Sequence, residues 1–175
     1  LASENAIQSQ GITPVARILG HSTHSRHPAE FTLAPIDAIK KLLTKVGWSL
    51  DDVDLFEINE AFAMVTMLAI REVGIDPEKV NVYGGACAQG HPIGSTGSRL
   101  IVTLIHALKR ANKSKGIASL CIGGGVGRRN EPFCVRNINL SEVTLTKTIE
   151  QEPFINVGVM YLAIIYLVII LNLAS

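Results

Sequence analysis

Three short motifs place side chains that can do chemistry next to glycines or at the expected start of a helix. They are NEAFA, which begins at Asn59; GGACAQGHPIGSTG, which contains His91; and CIGGG, which begins at Cys121. The functional interpretation is that the Asn59 amide holds a water or a substrate oxygen. His91 is then an uncrowded imidazole that Pro92 helps to fix. The glycine amides after Cys121 would stabilise an oxyanion and lower the pKa of the thiol.

Each motif also has a purely structural explanation. Asn59 can cap the helix that follows it, and the glycines around His91 can form a turn with a surface histidine. Cys121 can be a buried structural cysteine. The density of glycines in the second motif favours the functional interpretation there. That motif is neither a dinucleotide fingerprint nor a Walker loop, because the spacing of its glycines and its charged residues differ from both.

The remaining cysteines and the loop histidines are weaker candidates. Cys87 and Cys134 fit a structural role, and three cysteines without a CxxC pair indicate a reduced, intracellular compartment. His21, His24 and His27 lie close together but at irregular spacing in one loop, so we predict no metal site.

The elements that must position these residues alternate between strand and helix. Predicted strands are VARILG (15–20), DLFEI (54–58), VNVY (80–83) and GIASLCIGGG (116–125). Predicted helices are the first ten residues, PIDAIKKLLTKVGW (35–48), AFAMVTMLAIREVG (61–74) with Asn59 as its N-cap, and SRLIVTLIHALKRA (98–111). The segment HSTHSRHPAEFTLAP (21–35) is predicted as a loop. This alternation indicates an α/β domain.

Composition argues against nucleic-acid binding, and the first residues give information about the start of the chain. The 175 residues are 47% hydrophobic and carry a formal net charge of +1, without the basic stripe of a nucleic-acid-binding protein. The first residues contain no signal peptide. They read as the interior of a helix, which suggests a fragment.

The last forty-odd residues differ in character from the rest. Residues 128–152 read as a polar linker, or as a displaced last strand at FCVRNI, and 153–175 as an apolar tail. The uncharged run Val157–Leu171 is fifteen residues long, whereas a membrane-spanning helix needs roughly 20. The tail is therefore either a short transmembrane helix or a non-functional alternative terminus.

Taken together, the three motifs resemble the thiolase family. NEAFA, GGACAQGHPIGSTGSR and LCIGGGVG occur in the family's order and at its distances, and PVARILG and KKLLTKVGWSLDDVDLFEINEAF agree with them. The resemblance covers 1–127 and is to the carboxy-terminal half. It implies an α/β fold with a mixed sheet between helix layers, in a parent enzyme that forms homo-oligomers. Within the family, PAEFTLAP and CIGGGVG are most similar to acetyl-CoA acetyltransferases.

The resemblance also implies a mechanism. Two acetyl-CoA molecules are condensed to acetoacetyl-CoA, or the reverse thiolysis occurs. His91 would activate a nucleophilic cysteine, and Cys121 would remove the α-proton of the second acetyl-CoA. Asn59 would hold a water that forms one oxyanion hole with His91, and the Gly123 N–H would contribute to another.

Further expectations follow from the same resemblance. Gly20 and Ser22 match the segment that touches the pantetheine arm of CoA, a weaker assignment. No metal and no cofactor is implied, since CoA is part of the substrate. The compartment would be the cytoplasm or the mitochondrion, with membrane attachment only through 153–175.

Two departures from the family limit these expectations. No segment resembles the nucleophile's motif, so the chain alone should be inactive and should need an amino-terminal half. After residue 127 the sequence no longer follows the family. One alternative is therefore a non-catalytic CoA-binding or dimerising module tethered by its tail. Another is a relative of the ketoacyl synthases, which is disfavoured because those enzymes have a second histidine where Cys121 stands.

Overall fold

The computed structural model describes residues 2–121 and 133–137. Its strands form one mixed sheet, in which β2 and β3 are parallel and β4 runs antiparallel to both β1 and β3. The spatial order is β1-β4-β3-β2. The strands are β1 (Ala16–His21), β2 (Leu55–Ile58), β3 (Lys115–Ser119) and β4 (Phe133–Asn137).

Five α-helices and two short 3-10 helices connect the described strands. The α-helices are α1 (Glu4–Gln10), α2 (Ala34–Val46), α3 (Ala63–Val73), α4 (Ala86–Gln89) and α5 (Thr96–Arg110), and the 3-10 helices are Pro28–Leu33 and Pro77–Lys79. Both α2 and α3 end where the sequence predicts, at Gly47 and Gly74. Each of these glycines adopts a positive φ, which lets its N–H close the last turn.

Helices cover both faces of the sheet. Phe56 and Ile117 belong to one buried cluster, with apolar residues of α2 and α3. Leu55 and Ala118 belong to a second buried cluster, with apolar residues of α5. Successive strand residues point to opposite faces, so the sheet separates the two clusters. The predicted α/β fold, a mixed sheet between helix layers, is confirmed.

Gly116 in β3 lets α5 pack closely on the sheet. A β-carbon at this position would lie 2.9 Å from methyl carbons of both Leu104 and Leu108. Any larger residue would force the Leu104 and Leu108 side chains of α5 to shift. This matters for the site, because Thr96 at the start of α5 contacts His91.

Two local predictions in the middle of the chain are wrong. Asn59 caps no helix: α3 begins at Ala63, four residues later, and its N-cap residue is Phe62. VNVY is not a strand, since Val80 makes only an isolated bridge to Phe56. Asn81 follows with a positive φ of 48°, which ends the extended segment.

Two predictions in the first 35 residues also differ from the structure, and the prediction for the last residues falls outside the part that the structure describes. The first described helix begins at Glu4, with the Ser3 hydroxyl accepting the N–H of Ala6 as an N-cap, so the prediction of helix interior is wrong for residues 2 and 3. The predicted loop 21–35 contains the 3-10 helix noted above. The predicted tail 153–175 lies outside the described residues, and the proposed domain boundaries stay predictions. Among the residues that are described, no helix is both long and apolar enough to cross a bilayer.

Candidate active site

The carboxyl ends of β2 and β3 bring Asn59 and Cys121 to one edge of the sheet. The two strands are parallel neighbours, and the Asn59 N–H donates to the Ser119 carbonyl at 2.8 Å. Asn59 is 1% exposed and Cys121 8% exposed. Ligand sites of α/β sheets form at this edge because the segments leaving adjacent strands lie side by side there.

His91 reaches the same place from the glycine-rich loop. Its Nε2 lies 3.4 Å from Asn59 Nδ2, and its Nδ1 lies 2.7 Å from Thr96 Oγ1. His91 itself is exposed, whereas Thr96 is buried. The structure thus brings together three of the residues that the sequence singled out, and adds Thr96 to them.

Cys121 is held mainly as a thiol. Burial raises its pKa above the usual value, and its own backbone N–H and the Asn59 side chain offset part of that rise by hydrogen bonding to the charged form. The prediction of a lowered pKa is therefore wrong for the described part of the chain. The glycine amides on which it relied, including that of Gly123, lie outside the described residues.

Glu60 anchors the loop that carries His91. Its carboxylate accepts the Cys87 N–H at 2.8 Å and also a hydrogen bond from the Cys87 thiol, which raises the pKa of that thiol. A β-carbon at Gly85 would overlap the same carboxyl group. The motif NEAFA places Glu60 directly after Asn59, and that position was the signal in the sequence for this role.

Glu57 has a buried carboxyl group whose two oxygens have no hydrogen-bond partner among the described residues. Glu57 is only 1% exposed, and burial raises its pKa to about 7; the Arg99 charge opposes this rise and Glu60 adds to it. Arg99 Nη1 donates to the side chain of Gln89, whose amide nitrogen in turn donates to two loop carbonyls. Nothing in the sequence motifs predicted a role for Glu57, although a glutamate inside the apolar strand LFEI is an unusual residue.

Gly20 and Ser22 are explained by their contacts with α2. A β-carbon at Gly20 would lie 3.0 Å from a methyl group of Val46. The Ser22 hydroxyl donates to the Ala38 carbonyl at 2.6 Å. Both residues therefore help to fix β1 and the following loop against α2, and their contact with substrate stays a prediction.

The loop histidines make ordinary side-chain contacts. His24 pairs with Asp37 at 3.2 Å, and Arg26 donates to the same carboxylate at 2.6 Å. His27 accepts the N–H of Ala29 as a local cap. Within residues 2–121 and 133–137, no group of three histidine, cysteine or acidic side chains could hold a metal ion.

The fold and this site define a member of the thiolases. Residues 12–130 match the family described as the C-terminal domain of thiolase. The chain belongs to this family.

Similar proteins agree with this assignment. The chain is 49% identical to the cytosolic acetyl-CoA acetyltransferase of Mus musculus over 127 aligned residues. The aligned region is 73% of this chain and 32% of the mouse protein. The crystal structure of the Bacillus anthracis acetyl-CoA acetyltransferase matches with a TM-score of 0.73 at 46% identity, over 78% of this chain and 34% of that one. The Ascaris suum Acat5 thiolase in complex with coenzyme A matches with a TM-score of 0.71 at 37% identity, over 78% and 35% of the two chains. The chain thus spans about a third of the length of these proteins.

Proposed function

We propose that this chain contributes the acid–base residues of an acetyl-CoA C-acetyltransferase, which joins two acetyl-CoA molecules to acetoacetyl-CoA or cleaves the product with CoA. The observation that carries this proposal is the position of the Asn59 amide. Asn59 Nδ2 faces the Nε2 of His91, and the same side chain hydrogen-bonds Cys121. The names of the relatives support the substrate class.

In this proposal His91 activates a nucleophilic cysteine. A neutral imidazole can accept the proton of a thiol, and the resulting thiolate attacks the thioester. His91 is exposed in the described part of the chain, so its imidazole is accessible to a nucleophile supplied from outside these residues. That nucleophile comes from an amino-terminal half, which is the first partner we propose.

Cys121 transfers the proton at the α-carbon. Because burial raises the pKa of its thiol, the protonated form dominates at neutral pH. A thiol can protonate the carbanion that leaves when acetoacetyl-CoA is cleaved, and the thiolate can remove the same proton in the condensation. The buried environment therefore favours the acid role at rest.

Asn59 stabilises developing negative charge in this scheme. Its buried amide, with His91, would hold a water or a thioester oxygen as one oxyanion hole. The Gly123 N–H would contribute to a second, and Gly20 and Ser22 would lie near the pantetheine arm. No metal or further cofactor takes part, and the parent enzyme would be an intracellular homo-oligomer.

Two alternative functions can be distinguished from this proposal by experiment. A non-catalytic CoA-binding or dimerising module would use the same fold without turnover. A ketoacyl synthase relative would need a second histidine, and the structure has the Cys121 thiol beside Asn59 instead.

A chimera tests the proposal. Residues 1–137 of this chain replace the matching carboxy-terminal third of the mouse relative, and CoA-dependent cleavage of acetoacetyl-CoA is followed. We expect turnover in the chimera and none in the isolated 175-residue chain. His91→Ala should abolish cleavage, whereas the matched control His106→Ala, on the exposed face of α5, should retain it.

Cys121→Ser separates the two half-reactions. A hydroxyl is far too weak a base for an α-proton, so condensation should be lost while acetylation of the nucleophile, followed by mass spectrometry, continues. Equal loss of both steps would contradict the role given to Cys121. A chimera that folds and binds CoA but never turns over would favour the non-catalytic alternative.

A further inference from the structure

Each nitrogen of the His91 ring has its own neighbour. Nδ1 lies 2.7 Å from Thr96 Oγ1, and Nε2 lies 3.4 Å from Asn59 Nδ2. In a neutral imidazole one nitrogen carries a proton and donates, while the other carries a lone pair and accepts. The neighbours therefore decide between the two tautomers.

The Thr96 hydroxyl has one proton and a second neighbour that can only accept. Its Oγ1 lies 2.9 Å from the Pro92 carbonyl oxygen. When the hydroxyl donates to that carbonyl, the lone pairs of Oγ1 face Nδ1 and accept a proton from it. Thr96 is 1% exposed, so bulk water does not compete for these bonds.

The contact at the other nitrogen selects the same tautomer. The amide nitrogen of Asn59 only donates, so Nε2 must offer its lone pair. The effect of Asn59 on Cys121 agrees with this, because only the amide N–H of a side-chain amide can hydrogen-bond a thiolate and lower the pKa of the thiol. The opposite tautomer would set an Nε2–H against an N–H of Asn59.

We propose that Thr96 is a positioning residue that holds neutral His91 in the Nδ1–H tautomer, with the Nε2 lone pair turned toward Asn59. The consequence for catalysis rests on the proposed function: only a lone pair at Nε2 can take the proton of the nucleophilic thiol. Thr96 acts through His91 and touches no reacting atom. Its place at the start of α5, a helix packed tightly onto Gly116, gives the hydroxyl a fixed position.

Nitrogen-15 spectra of the imidazole rings test this directly. The 175-residue chain is labelled at its histidines, and long-range proton–nitrogen correlations are recorded at pH 8.5, where the unperturbed imidazole is neutral. The signals that disappear in His91→Ala identify His91. We expect a protonated Nδ1 and an unprotonated Nε2, and a protonated Nε2 in the unaltered chain would overturn the proposal.

Variants of Thr96 then assign the cause. Thr96→Val removes the acceptor at Nδ1 and leaves only the longer contact with Asn59 to favour this tautomer, so the Nδ1–H signature should weaken and an Nε2–H signature should appear beside it. Thr96→Ser keeps the hydroxyl and should keep the original spectrum. Thr103→Val, the same change two turns further along α5, is the matched control and should leave His91 unchanged.

Every outcome of these measurements decides the proposal. An undiminished Nδ1–H signature in Thr96→Val would show that Thr96 does not select the tautomer. If that variant loses the resolved amide signals of α5, Thr96→Ala takes its place, and the spectrum of the unaltered chain still decides which nitrogen is protonated. None of these spectra requires substrate, so an inactive chimera would refute the proposed function without affecting the assignment of the tautomer.

Discussion

The carboxyl group of Glu60 occupies the space that a side chain at residue 85 would need. A β-carbon on Gly85 would approach the carboxyl carbon more closely than real β-carbons approach any atom. The backbone of Gly85, with φ −103° and ψ −165°, is one that any residue can adopt. A side chain at this position is therefore opposed by the carboxyl group of Glu60 and not by the backbone conformation of residue 85.

Gly85→Ala should destabilise the chain, because the Glu60 carboxyl group must move aside and give up the hydrogen bond that it accepts from the Cys87 N–H. The loss of one such bond costs about 0.5–1.5 kcal/mol, which urea unfolding followed by circular dichroism can measure. Gly94→Ala is the matched control, because a β-carbon there has nothing within 4 Å and the backbone φ is not positive. In a Glu60→Ala background the Gly85→Ala change should cost much less. Equal costs in both backgrounds would show that the carboxyl group is not the obstacle.

Asn81→Ala should weaken the edge of β2. The Asn81 side chain accepts the Ile58 N–H at 2.8 Å and donates to the Ile58 carbonyl at 2.9 Å, as a neighbouring strand would. The Ile58 carbonyl keeps a long hydrogen bond from the Thr66 hydroxyl at 3.5 Å, so the main cost comes from the Ile58 N–H that loses its acceptor, about 1–3 kcal/mol. Asn112 has a similar positive φ of 54°, so Asn112→Ala measures the backbone strain alone. Unfolding free energies that fall equally in the two variants would contradict the role of the Asn81 side chain.

Glu57 should make stability fall as pH rises. Burial raises its pKa to about 7 from 4.5, so between these values the folded state holds a proton that the unfolded state has released. Stability then decreases with rising pH by at most about 1.4 kcal/mol per pH unit, and the loss is complete above the folded pKa. Glu57→Gln should remove this slope in urea unfolding between pH 5 and pH 8. Identical slopes in the two proteins would mean that Glu57 is ionised throughout.

Asn59→Ala should move the titration of Cys121 to higher pH. The Asn59 side chain donates to the charged form of the thiol and lowers a pKa that burial has raised. The pH dependence of alkylation by iodoacetamide reports the thiolate, and it is measured in a variant with Cys87 and Cys134 replaced by serine. The two proteins are compared by the pH at the midpoint of the alkylation profile and not by the alkylation rate, because the smaller alanine side chain also makes the thiol more accessible to the reagent. A midpoint that stays or falls would contradict the contact.

A second single-cysteine variant serves as the control for that experiment. With only Cys87 left, the titration depends on the neighbouring Glu60 carboxylate. Its midpoint should therefore not respond to Asn59→Ala. A parallel shift in both variants would indicate a general change of structure.

The spacing of neighbouring residues in the sequence was enough to predict the family and most of the helices and strands. The apolar period of α2 and the glycine that ends it are properties of neighbouring residues, and the helix ends there. The motifs around Asn59, His91 and Cys121 are equally local, and they identified both the thiolase resemblance and three side chains that meet in the structure. These features could be predicted because each depends on residues a few positions apart.

The tertiary structure decided which residues support the site, because their partners lie far apart in the chain. Glu60 meets Cys87 across 27 positions, and Asn81 meets Ile58 across 23. The same distance in sequence explains why VNVY is not a strand, since the Asn81 side chain replaces the strand at that edge of the sheet. The raised pKa of Cys121 likewise depends on burial, which no local motif contains. The sequence by itself determined the family and the candidate reacting groups; only the packing of strands and helices determined how those groups are held.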